Sequence, residues 1–144
     1  MITFKQFLGE EGDEYLLYRN IGRNVVAELQ AGKSVPITKK FVSFVRDKSH
    51  LKTEFGPCTI IIRSQELPRG VKVIPIQYDL AWFTQSKLHR ELLQFVTGRD
   101  EDDWLEFGDL EQIDNELETI YGEEKEVVLV GLKAYDPKYV KVMK

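Results

Sequence analysis

Four polar residues in three short segments carry groups that could do chemistry. Glu124 and Glu126 come directly before the apolar run VVLVG, Arg19 ends the run YLLYR, and Ser43 lies inside FVSFVRD. A rigidly held carboxylate can stabilise a developing positive charge, a guanidinium can bind phosphate through its planar fork, and a hydroxyl can donate a hydrogen bond. These four residues form the candidate site.

Other catalytic signatures are missing from the sequence. It has no Gly-rich phosphate loop, no His and Cys at metal-ligand spacing and no nucleophile elbow, so we expect no metal site. Roles on the surface or on a helix face are favoured for His50 and His89, and core packing is favoured for Cys58. The basic residues between positions 39 and 52 are favoured as ordinary solvated charges.

The order of the candidate residues is similar to that of a known enzyme family. An Arg at a strand end, a Ser within a strand and Glu-x-Glu leading into an apolar strand resemble the Arg–Ser–Glu signature of the ADP-ribosyltransferases. LYR followed by a helix resembles the first motif of that family, and residues 124–129, EKEVVL, resemble its last. The resemblance extends from about Tyr15 to Gly131. The strand that is usually Ser-Thr-Ser in that family is VSFV here.

This resemblance implies NAD as a substrate, no metal, and a role for each candidate residue. Glu126 would stabilise the oxocarbenium cation that forms when nicotinamide leaves the ribose, and Glu124 would orient or deprotonate the acceptor if strand pairing extends that far. Arg19 would hold the dinucleotide phosphates, with Arg46 as a reserve contact. Ser43 would position the sugar or Glu126. The acceptor would be a host protein or nucleic acid, or water in an NAD hydrolase.

A looser resemblance links the chain to small proteins of tailed bacteriophages. It rests on MITFKQFL, VSFVRDK, LPRGVKVIPIQYD and EEKEVVLVGLKAYDPKYV. A bacteriophage origin would imply work in the cytoplasm of a bacterial host. Two further functions stay open: a non-enzymatic protein that binds a host factor through an acidic segment, and a minor virion protein.

Charge is divided unevenly along the chain. The net charge is only −4, yet residues 99–126 hold thirteen acidic residues against Arg99 and Lys125. This acidic segment has a net charge of −11 and the other residues +7. Such a division could steer a charged partner to one face of the protein. The alternative interpretation is that the acidic segment is only a solvated helix face with a loop.

Periodicity predicts an α+β fold, with two small, mostly antiparallel sheets around an NAD-type cleft and flanking helices. A strand should end at Arg19, with Asn20 capping a helix that begins at Ile21. Further strands are predicted in FVSFVRD, CTIIIRS, VKVIPIQYD, EVVLVGL and KYVKVM, and helices in 2–9, LHRELLQFVTG and DLEQIDNELETIYG. The 144 residues suit a single domain, 1–144, with 99–126 as an acidic helix and loop segment. One cysteine and no run long enough to span a bilayer favour a reducing cytoplasm without membrane contact.

Overall fold

The computed structural model describes residues 15–143. The helix predicted over residues 2–9 therefore lies outside the described residues. Eight strands and five α-helices occur in the described range. The strands are β1 (Leu16–Ile21), β2 (Val35–Pro36), β3 (Phe41–Val45), β4 (Cys58–Arg63), β5 (Lys72–Pro75), β6 (Glu126–Val130), β7 (Ala134–Tyr135) and β8 (Val140–Val142). The helices are α1 (Arg23–Gln30), α2 (Leu80–Phe83), α3 (Lys87–Thr97), α4 (Glu101–Phe107) and α5 (Leu110–Tyr121).

The chain divides into two compact units. Among the described residues, unit 1 comprises 15–74 and 127–143, and unit 2 is the segment Pro75–Glu126 between them. Unit 1 holds α1 and the strands, apart from Pro75 at the end of β5 and Glu126 at the start of β6, whereas unit 2 holds the other four helices. The expectation of a single domain stays a prediction.

A six-stranded sheet forms the centre of unit 1, in the order β5-β6-β3-β1-β4-β8. β1 pairs antiparallel with β4 along its whole length, from Leu16 opposite Arg63 to Ile21 opposite Cys58, and it pairs antiparallel with β3. All five residues of β6 are buried, which is typical of a central strand covered on both faces. A second sheet of two antiparallel strands pairs β2 with β7.

Apolar side chains from neighbouring strands form the core of unit 1. They include Leu17, Ile60, Ile62, Val127 and Leu129, all fully buried. Their alternation along each strand, with period two, sends them to one side of the sheet. Burial of these apolar side chains, whose alternation is visible in the sequence, therefore stabilises the sheet.

The beginnings of the helices in unit 2 are set by their first residues. Asp79, Ser86, Asp100 and Asp109 each precede a helix and accept a hydrogen bond from a backbone N–H of its first turn. Asp100, which precedes α4, and Asp109, which precedes α5, each form a reciprocal capping box. The helices pack through buried apolar residues, among them Phe83, Leu92, Leu93, Trp104, Ile113 and Leu117.

The predicted α+β class, with a mostly antiparallel sheet and several helices, is confirmed. The prediction that Asn20 caps a helix is wrong, because β1 continues to Ile21 and the Asn20 carboxamide oxygen accepts a hydrogen bond from Thr59. β5 stops at Pro75, earlier than predicted, since Asp79 already caps the next helix. The NAD-type cleft stays a prediction.

Candidate functional site

Arg19 lies on β1, and its guanidinium contacts other residues of unit 1. Nη1 donates to the backbone carbonyl of Ser43 at 2.8 Å, and the guanidinium carbon lies 4.3 Å from the centroid of the Phe55 ring. Burial raises the pKa of the Tyr135 hydroxyl, and the charge and a hydrogen bond of Arg19 oppose that rise. Arg19 thus ties β1 to β3 and to β7. Its buried Nε has no hydrogen-bond partner among the described residues.

A small pocket adjoins this guanidinium. Its lining includes Tyr18, Arg19, Ser43, Lys52 and Phe55. The cavity volume of about 10 Å³ is room for about one water molecule. The predicted contact between Arg19 and a dinucleotide would therefore need this part of unit 1 to open.

Glu126 is the first residue of β6 and one of the two buried polar side chains in the described range, with 5% of its surface exposed. Its backbone N–H donates to the Tyr78 hydroxyl at 3.1 Å, and its carbonyl accepts from the N–H of Ile76 at 3.0 Å. These two bonds fix the backbone at the start of the strand. A fixed backbone limits the positions that the side chain can take, and electrostatic stabilisation of a cation requires a carboxylate that is held in place.

Glu124 does not share a strand with Glu126. It ends the 3₁₀ turn Gly122–Glu124, and Lys125 between the two has a left-handed backbone with φ of 49°. The condition for placing both carboxylates on one strand face is therefore not met, because strand alternation starts only at Glu126.

Arg46 follows the last residue of β3 and is exposed. Its guanidinium carbon lies 5.5 Å from the centroid of the Tyr15 ring. Stacking on an aromatic ring leaves the edge of an arginine fork available for an anion. Arg46 is therefore better disposed than Arg19 to bind a phosphate.

The strands that carry the candidate residues are consecutive in the sheet. β6, which Glu126 begins, lies next to β3 with Ser43, and β3 lies next to β1 with Arg19. Arg19, Ser43 and Arg46 belong to unit 1, and Glu124 and Glu126 are the end of unit 2. Of these residues, Arg19 and Ser43 are in direct contact, through the hydrogen bond to the Ser43 carbonyl.

Three aromatic residues that contact Arg19 or Glu126 were not identified from sequence. Tyr78 and Tyr135 act through their hydroxyl groups, and Phe55 through its ring face. Each lies at least 36 positions from the candidate residue that it contacts. No local pattern marks them, since such contacts are set by strand pairing between distant segments.

Comparison of the chain with protein-family models, with curated proteins and with solved structures found no match. Within residues 15–143, no helix is both long enough and apolar enough to cross a membrane. Across the same residues, no group of three or more His, Cys, Asp or Glu side chains is placed to hold a metal ion.

Proposed function

We propose that this protein is an ADP-ribosyltransferase-like enzyme that transfers ADP-ribose from NAD to a macromolecule. The observation that carries the proposal lies within unit 1, where Arg19 on β1 donates a hydrogen bond to the Ser43 carbonyl on the neighbouring strand β3. Arg19, Ser43 and Glu126 are far apart in sequence, and their order resembles the Arg–Ser–Glu signature of the ADP-ribosyltransferases.

In the proposed reaction the bond between the nicotinamide nitrogen and C1′ of the ribose breaks, and its electron pair leaves with nicotinamide. The acceptor nucleophile then forms a bond to C1′ and gives its proton to Glu124 or to water. Glu126 stabilises the positive charge on the ribose between these two events. Its buried position strengthens that stabilisation, because low-dielectric surroundings screen the charges poorly.

The contacts of Arg19 and Arg46 favour a different role for each of these two arginines. Arg19 acts as a positioning residue, since its guanidinium holds the Ser43 carbonyl and Tyr135. Ser43 lies at the centre of β3 and positions the sugar or Glu126. Arg46, exposed just after the same strand, binds the phosphates of NAD.

Release of nicotinamide from NAD tests the proposal. Glu126→Gln should slow release by about a hundredfold or more, since it removes one fixed charge from the transition state. Glu123→Gln is the matched control, because that glutamate is exposed in the same segment. Melting curves of both variants show whether they fold. Equal release by the folded Glu126→Gln protein and the parent would refute the enzymatic proposal.

A second candidate function is binding to a basic surface of another protein, and the surface of unit 2 favours it. This unit holds fifteen acidic residues and four basic ones, a net charge of −11. Near the corner between α4 and α5, Leu105, Phe107 and Leu110 are 48%, 47% and 61% exposed. Apolar side chains among like charges suit a partner segment that is both basic and amphipathic.

Salt dependence and paired variants separate the two candidates. A complex formed through unit 2 should weaken steeply as salt is raised, and Phe107→Ser with Leu110→Ser should weaken it without slowing nicotinamide release. Glu126→Gln should leave such a complex intact. If the paired serine variant bound a basic amphipathic peptide as well as the parent does, this second function would be excluded.

A further inference from the structure

A second pocket lies wholly within unit 1, apart from the candidate site. It is lined by residues of two segments, 66–71 between β4 and β5, and 131–139 from the end of β6 to the turn before β8. Its cavity volume of about 550 Å³ is within the range of pockets that hold small organic ligands. Glu126 begins β6 and Gly131 follows the end of that strand, so this pocket is distinct from the proposed transfer site.

Two glycines with a left-handed backbone line this pocket. Gly70 and Gly131 have φ of 90° and 84°, in the left-handed region that other residues rarely adopt. A Cβ atom on Gly131 would lie 3.6 Å from the Gly70 carbonyl oxygen. The glycines therefore leave backbone groups, not side chains, at this part of the pocket.

The segment after β6 is held rigidly. The Lys133 carbonyl accepts a hydrogen bond from the N–H of Ile37 at 2.8 Å, and the Tyr139 hydroxyl donates to the carbonyl of Ala134. Burial and the nearby charge of Asp136 raise the pKa of Tyr139, so this hydroxyl stays protonated at neutral pH and keeps its bond. A wall fixed before the ligand arrives lowers the entropic cost of binding.

The charged side chains around the pocket favour an anion. Arg69, Lys133 and Lys138 are exposed at its rim, against Glu66 and Asp136. The Asp136 carboxylate is already used within the turn, where it accepts the N–H of Lys138 at 2.9 Å. None of the three cations forms an ion pair within the described residues. An arginine fork with two ammonium groups suits a phosphate.

We propose that this pocket binds a phosphorylated small molecule of about nucleotide size. Arg69, Lys133 and Lys138 hold the phosphate groups, and the half-buried Val71 and Ala134 contact the apolar part of the ligand. The site goes beyond the proposed transfer of ADP-ribose and uses none of its residues.

Titration of the full chain with ADP tests this proposal by calorimetry and by the NMR signals of the Gly70 and Gly131 amides. Arg69→Gln with Lys138→Gln should raise the Kd for ADP at least about tenfold, since two charge-assisted contacts are lost. Arg23→Gln with Lys33→Gln is the matched control, because it removes the same charges from exposed positions outside the pocket. The control should change the Kd by less than about twofold.

Glu126→Gln separates this site from the proposed enzyme and should bind ADP as the parent does. If both proposals hold, the Glu126→Gln protein should lose nicotinamide release and still bind ADP. ADP that shifts neither glycine amide, or that binds the Arg69 and Lys138 double variant as tightly as the parent, would overturn the pocket proposal. Pyrophosphate binding as tightly as ADP would overturn the role of Val71 and Ala134.

Discussion

Replacing Arg19 by Met should destabilise the protein, because the guanidinium is used in internal contacts. Met keeps an unbranched apolar side chain but removes the hydrogen bond to the Ser43 carbonyl, the bond with Tyr135 and the contact with the Phe55 ring. Arg19 would have few such contacts to lose if it served only as a phosphate ligand.

The size of the effect follows from these three contacts. A hydrogen bond to a charged group contributes about 1.5–3 kcal/mol, and an exposed cation–π contact about 0.5–1 kcal/mol. Because the contacts share one side chain and are not additive, we expect a loss of about 3 kcal/mol in the free energy of unfolding. For a chain of this size, that loss lowers the melting midpoint by about 10 °C.

Urea denaturation of Arg19→Met and of Arg23→Met measures the difference. Arg23 is exposed in the first turn of α1, so its replacement should change the free energy of unfolding by about 0.5 kcal/mol or less. A double-mutant cycle with Tyr135→Phe should give a coupling energy of about 1 kcal/mol. If Arg19→Met unfolded at the same urea concentration as Arg23→Met, the positioning role of Arg19 would be refuted.

Two further predictions concern stability. Gly56→Ala should cost about 3 kcal/mol or more, because φ is 143° and a Cβ atom would overlap the Ile21 carbonyl oxygen. Gly22→Ala, with open space around its Cβ position, should unfold almost as the parent does in the same urea assay. Burial lowers the pKa of His89 from 6.5, so the unfolded chain binds its proton at higher pH than the folded protein does. The stability due to neutral His89 is complete above pH 6.5 and is lost as the pH falls below it. Melting at pH 7.5 and at 5.5 should therefore show a smaller decrease for His89→Gln than for the parent, and an equal decrease would exclude His89 as the cause.

Local patterns in the sequence were sufficient for many elements. LHRELLQFVTG predicted a helix over 88–98, and the structure has α3 at Lys87–Thr97, because apolar spacing and the left-handed Gly98 act within a few residues. The apolar run after Glu126 predicted a buried strand, and all of β6 is buried. The short α2, capped by Asp79, was not predicted, since four residues carry too little periodicity.

Only the tertiary structure decided which distant residues meet. The sheet order that makes β6, β3 and β1 neighbours depends on pairing between segments far apart in the chain, which local periodicity does not encode. The contact between Arg19 and Tyr135 has the same cause, and it is the reason why we propose a positioning role for that arginine and not a phosphate-binding role. The charge division was plain from the sequence, but its assignment to a separate helical unit came from the packing of Pro75–Glu126 around its own apolar residues.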